Sequence, residues 1–457
     1  MLGMDCQFRI QQTNSERKET MNNKGRILLM VLLSLVVVAS GLFAAPVTLN
    51  LLMEDVPDTV AIEELLPQFE AQTGIKVSFE KVVYTVMHEK LVPQLMAQQG
   101  KGSYDVLECD NYWVGEFTQS GWLRPLDDYL KKTPEIKMSD YIDSIEKMFN
   151  ISDKKYFIPL WSYPMGLVYR TDVVNDPAFK KAYEQKTGKK FAFPPADFGT
   201  LVEMAKVAKA YSSGKIHGVA MQGAKIDPIV MELFNYLVSV GGDIYNRKQW
   251  VASMNSPAGI KALTYYKDLL QNAAQPGASG ANFDDALNVF AQGNAAFSVT
   301  YNFLMPAMMD PKSSKVAGKV AFVALPNGGL LGGWSWAIPK STAHPDEAWQ
   351  FIKWVEQKKI QKARGMAGGM PAVKWVYQDQ EFLKKWPFQK MAYQAIATDK
   401  PVPIVSQSTR MIEIVGEYAS QAMTGDITIQ EAVQKMDEEL NGIIQDDPLV
   451  EMQKKAK

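Results

Sequence analysis

Cysteine is nearly absent from this chain: among 457 residues only Cys6 and Cys109 carry a thiol. If Cys6 lies in a segment that is removed, one thiol remains and no intramolecular disulfide forms. Histidine is as scarce. His88, His217 and His344 stand apart, with no cysteine or carboxylate at the spacing of a zinc site, so neither a metal centre nor another cofactor is expected. An excess of charge of one sign is missing too, since 49 Lys and Arg face 50 Asp and Glu for a formal net charge of −1. Such a chain offers no basic field to nucleic acid or to anionic lipid. Internal repeats and low-complexity tracts are also lacking.

Long apolar runs are confined to one place. After Met21, the polar and basic residues Asn22, Asn23, Lys24, Gly25 and Arg26 precede an apolar stretch from Ile27 to Ala39, and small residues follow at Ser40, Gly41, Ala44 and Ala45. This is the layout of a secretory signal peptide. Residues 1–45 are expected to be a leader with its true start at Met21, cut near Ala44 or Ala45 to leave a chain beginning close to Pro46. A retained anchor is the alternative, because 27–45 is nearly long enough to cross a bilayer, which takes about 20 apolar residues. No cysteine stands at the cleavage point to carry a lipid, so the expected product is periplasmic or otherwise extracytoplasmic and not a lipoprotein.

What remains, about 410 residues, exceeds what one hydrophobic core holds, since single cores stop growing at about 250–300 residues. Two lobes are expected. Aromatics are plentiful, with ten Trp, 18 Tyr and 20 Phe. Phe69, Phe290 and Phe351 sit in periodic apolar stretches and are assigned to the core. Tyr112, Trp113, Trp161, Tyr163 and Trp334 read as loop-placed and are candidates for a ligand surface.

The pattern alternates. A buried strand at 47–53 precedes a helix from Asp58 with Ile62, Leu65, Leu66 and Phe69 at helical spacing, closed by Gly74. A strand at 75–79, a helix at 88–98 and a short strand at 104–107 follow. That order predicts a largely parallel, helix-covered sheet. The third strand runs into Glu108, Cys109, Asp110, Asn111, Tyr112 and Trp113, a polar and aromatic cluster where ligands of open α/β sheets bind. Residues 158–171, IPLWSYPMGLVYRT, carry two prolines in an extended stretch suited to passing between lobes. Helices at 200–211 and 229–240 with a strand at 219–222 begin a second alternating lobe. Ser256 with Pro257, Asp284 or Asp285, Pro345 with Asp346 and Glu347, and Thr428 with Glu431 mark later helix starts.

Five strings carry a resemblance: FEAQTGIKV at 69–77, YDVLECDNYWVGEFTQSGWLRPLDDYL at 104–130, PPADFGTLVEMAKVAK at 194–209, VFAQGNAAFSVTYNF at 289–303 and GGWSWAIPKSTAHPDEAWQFIKWV at 332–355. In this order they resemble the family 1 extracellular solute-binding proteins of ABC importers, the group that includes maltose-binding protein, over nearly the whole exported chain. GGWSWAIP and the ending TRMIEIVGEYASQAMTGDITIQEAV are most similar to the sorbitol- and mannitol-binding branch and its monosaccharide- and inositol-binding neighbours. The chain departs from relatives at Tyr301, Asn302 and Phe303, where they have tryptophan, and at Ala372, where several have arginine.

The resemblance implies the type II periplasmic-binding-protein fold, an α/β architecture of two lobes joined by a hinge around a ligand cleft. Lobe 1 is expected from 46–160 and 317–358, lobe 2 from 161–316 and 359–457. It implies a monomer that binds a sugar or polyol, hands it to the transmembrane permease subunits of an importer and catalyses nothing. Such a ligand needs aromatic plates and planar polar groups able to grip neighbouring hydroxyls. The candidates are Glu54, Asp55, Tyr84, Asp110, Tyr112 and Trp334 in the first lobe. Gln222, Asn235, Asp284, Tyr301 and Asn302 come from the second, with Trp161 and Tyr163 on the crossover. Two alternatives stand beside this one: an exported carbohydrate-active hydrolase, which would need two opposed carboxylates, and a sugar-sensing protein serving a membrane receptor.

Overall fold

The computed structural model describes residues 46–455. The expected leader and its cleavage point lie outside the described residues, and among those no helix is long and apolar enough to cross a membrane.

The strands are Thr48–Glu54 (β1), Lys76–Val82 (β2), Val106–Asp110 (β3), Ile158–Arg170 (β4), His217–Ala220 (β5), Tyr245–Asn246 (β6), Val251–Ala252 (β7), Ala295–Tyr301 (β8), Val320–Val323 (β9) and Leu331–Ala337 (β10). Strands β6 and β7 form a separate pair; the others form one sheet ordered β2-β1-β3-β10-β4-β8-β5, with β9 also on β4. The sheet is mixed rather than largely parallel. β1 runs parallel to β2 and β3, and β5 to β8, but β4 and β10 are antiparallel to their neighbours. Local strand–helix alternation announces only pairs joined by a crossover helix, and β10 arrives between β3 and β4 from far along the chain.

β4 is the shared element. Its first part pairs with β10 and its second, from Met165, with β8 and β9. Thirteen residues at about 3.3 Å each make a strand of about 43 Å, long enough to belong to both halves of the molecule. The register shifts between Trp334 and Ser335, opposite Trp161 and Pro159. A proline that cannot donate to the ladder is thus housed at an irregularity.

The chain crosses again through 324–330, from β9 to β10, and a third time after the helix Lys358–Ala367. Pairing puts β9 with the second half, and that helix packs on the helix Pro57–Thr73 of the first. Residues 320–323 thus lie beside the second part of β4, and 358–367 beside the first helix, where fully buried Arg364 donates from Nη2 to Asp58 Oδ2 at 2.7 Å.

Helix ends follow local chemistry. Pro57 and Asp58 open the first helix, and Gly74 at φ 73° closes it. Ser256 caps Pro257–Asn272, and Thr428 with Glu431 forms a capping box on Ile429–Ile443. Phe69, Phe290 and Phe351 are buried, as assigned, with Phe69 edge-on to Phe351 at 5.6 Å.

Candidate functional site

The strand ends of β1, β3 and β8 and the middles of β4 and β10, with the helix starts at Tyr84, Asp227 and Phe283, line a cavity of about 150 Å³. One water needs only about 10–15 Å³ by the same measure, so the space suits a small organic solute. Glu54 and Asp110 end β1 and β3, while Tyr112 follows in a short 3₁₀ turn. Tyr84 is the first residue of the helix Tyr84–Leu95, which begins four residues earlier than the sequence suggested.

An aromatic wall comes from β4 and β10. Trp161 and Trp334 lie 5.8 Å apart at 16°, and Trp334 meets Tyr84 edge-on at 5.9 Å. Trp161 Nε1 donates to Glu108 Oε1 at 2.9 Å, which fixes the indole, and Glu108 Oε2 accepts from the Glu54 N–H at 2.7 Å. Opposite, Tyr301 stands edge-on to Tyr163 at 5.7 Å and beside Phe303 at 5.2 Å.

The carboxyl groups are held in an unusual state. Burial pushes Asp110 up to about 7, although the Tyr84 and Tyr163 hydroxyls and the Tyr112 N–H favour its ionised form. The Tyr163 hydroxyl lies 3.0 Å from Asp110 Oδ1 and 3.1 Å from Asn111 Oδ1. Glu54 is raised well above the usual range by burial and then by the charges of Glu108, Asp110 and Asp284. Burial lifts Glu108 to about 8 and Asp227 to about 6, and partial desolvation also raises Asp284, whose side chain is exposed to solvent at the cavity mouth. Gln222 is 2% exposed, and neither atom of its amide makes a hydrogen bond. Its amide lies close enough to the Tyr301 hydroxyl to favour that group's ionised form.

Most of the residues proposed from sequence line this cavity: Glu54, Tyr84, Asp110 and Tyr112; Trp161, Tyr163 and Trp334; Gln222, Asp284 and Tyr301. Asp284 is free to do so because Asn282 and Asp285 form the capping box of the helix Phe283–Ala291. Four residues lie outside, and of these Trp113 is buried, stacked on Tyr84 and edge-on to Trp334. Asp55 is exposed, one residue beyond the strand end. Asn235 is fully buried but its amide donates to the Met231 carbonyl at 2.7 Å and accepts from the Leu330 N–H at 2.8 Å, so it secures the 324–330 crossing. Asn302 is turned to the Met370 sulfur.

Sequence reasoning missed Asp227, Met231, Phe283 and Phe303 in the lining. Asp227 and Pro228 carry an acidic, proline-containing helix start that was legible, but the helix was begun at Ile229. Phe283, beside Asp284, was hidden among ordinary core phenylalanines. Of the histidines, His88 reaches Glu116 Oε2 at 2.8 Å. Among the described residues no group of three or more His, Cys, Asp or Glu is placed to hold a metal ion.

The profile of the family described as bacterial extracellular solute-binding protein matches residues 55–362. A probable ABC transporter-binding protein of Deinococcus radiodurans is 24% identical over 69% of this chain and 73% of its own. The mannitol-binding protein of Pseudomonas aeruginosa is 23% identical over 73% of this chain and 78% of its own. A solute-binding protein of an ABC transporter from Agrobacterium radiobacter K84, solved with ribitol, superimposes with a TM-score of 0.75 at 25% identity, covering 87% of this chain and 98% of that one.

Proposed function

The chain belongs to the family of bacterial extracellular solute-binding proteins, the binding components of ABC transporters, and from this premise we propose that it captures a small sugar or polyol between its two lobes. The observation that carries the reading is the composition of the cavity: stacked and edge-on aromatics, carboxyl groups, and the unpartnered buried amide of Gln222. Aromatic faces take the C–H side of a pyranose or hexitol, and carboxyls and amides take its hydroxyls. An unmade hydrogen bond inside a dry cavity costs about 1–3 kcal/mol, which a hydroxyl of the ligand recovers.

The lining residues are the ligand contacts in this reading. The lobes divide as the strands pair, with 320–323 joining the second and 359–367 the first. Because contacts come from both, binding favours the closed arrangement, and the three crossings, with β4 at their centre, act as the hinge. The protein acts as an exported monomer, delivers its cargo to the permease subunits of an importer and carries out no reaction. Mannitol and ribitol, bound by the relatives named above, support the polyol end of the range.

Thermal unfolding against hexoses, inositols, hexitols and disaccharides tests this. Ligand at a hundred times its Kd adds about 2.7 kcal/mol to the folded state. A selective rise identifies the cargo; a flat panel removes carbohydrate from the reading.

A further inference from the structure

The cavity holds acidic side chains and no basic one. Glu54, Asp110, Asp227 and Asp284 line it together, arriving from β1, β3 and two helix starts in opposite halves, while no Lys, Arg or His shares the lining. The buried cation Arg364 is not part of the lining; it is paired with Asp58 and donates to the Leu160 carbonyl. His88 acts on Asp227 only through space and is itself paired with Glu116.

Carboxylates alone do not make a site, but a second feature points to a ligand here. Gln222 is nine-tenths buried and more, lines the same space, and leaves both its amide oxygen and its amide nitrogen without a partner. The walls between these groups are the rings of Tyr84, Trp161 and Trp334, whose π faces attract a cation.

Resting on the sugar or polyol reading above, we propose that the cargo carries an ammonium group: a hydroxylated amine such as an amino sugar or an amino polyol. Its hydroxyls meet Gln222 and the tyrosines, and its ammonium meets the carboxylates. The surroundings of the carboxyl groups agree. Burial raises Glu54, and the charges of Glu108, Asp110 and Asp284 raise it further, with no cation acting on it in return. Like charges brought together in a dry space favour protonation, and a bound cation reverses that preference. A neutral polyol supplies hydrogen bonds but leaves the crowding in place.

The test is calorimetric titration of the purified exported chain with matched pairs: glucosamine against glucose, 1-amino-1-deoxysorbitol against sorbitol, with putrescine as an amine lacking hydroxyls. The amine of at least one pair binds about tenfold more tightly than its neutral partner, and Asp284→Asn narrows that preference while changing the neutral ligand less. Neutral partners that bind as well as or better than their amines overturn the ammonium and leave the carbohydrate reading standing. Binding of putrescine alone keeps the ammonium and overturns the sugar scaffold. Failure of every probe overturns both.

Discussion

The ring of Tyr163 lies flat against the backbone of Gly332, its partner across the β4–β10 ladder: a Cβ at Gly332 would fall 1.9 Å from Tyr163 Cε2. No side chain but hydrogen fits there. The Tyr163 hydroxyl in turn faces Asp110, so a backbone feature of β10 positions a group of the cavity.

Gly332→Ala therefore displaces the Tyr163 ring. Overpacking of this kind costs about 1–3 kcal/mol. The expected result in urea titration is a lower midpoint, together with weaker binding of whichever ligand the thermal panel identifies. Tyr163→Phe, which keeps the ring and drops the hydroxyl, should weaken binding with a smaller loss of stability.

The Asp58–Arg364 pair joins the helices Pro57–Thr73 and Lys358–Ala367 in full burial. Asp58→Asn leaves Arg364 as an uncompensated buried cation and should cost about 3–5 kcal/mol, measured by chemical denaturation. Replacing both partners with leucine and methionine should recover most of that loss, because desolvation of the charges disappears with them.

Trp334→Ala removes the ring that stacks on Trp161 and meets Tyr84 and Trp113 edge-on. Truncating a buried tryptophan costs about 3–5 kcal/mol. Trp334→Phe should cost less and still bind, with reduced affinity, which calorimetry can resolve.

Stability should fall as pH rises from about 5 to about 8. Burial raises Glu108 and Glu232 to about 8 in the folded protein, above the usual carboxylate range. The folded state then holds protons that the unfolded chain has released, so their stabilising contribution is complete below the unfolded pKa and lost as pH climbs through the folded one. Glu232 accepts from the Tyr236 hydroxyl and the Gln222 N–H, and Glu232→Gln should flatten the dependence of Tm on pH.

Much of the architecture was legible because it is written in short-range chemistry. Pro57 with Gly74, Ser256 with Pro257, and Thr428 with Glu431 bracket helices by rules that act over a few residues. Strand ends were less so: β3 extends to Asp110 because Glu108 and Asp110, polar in sequence, find Trp161 and Tyr163 as partners across the sheet. Asn235 reads as a ligand group in sequence because an amide inside a helix is equally suited to holding a loop, and the Leu330 N–H shows which it does. The partners of Arg364 and β9, Asp58 and β4, lie far away in sequence, where no short-range pattern announces them.

The position of β10 also governs how the chain reaches this state. Strands β3 and β4 flank a gap that only residues 331–337 fill, and these arrive after the whole of β5 to β9 has been made. Until then two strand edges stand open, which invites pairing with other chains. Contacts between segments so distant in sequence form slowly. A growing chain must keep those edges apart from their neighbours until residues 331–337 arrive, and truncation between residues 170 and 331 should yield an aggregating fragment rather than a folded first lobe.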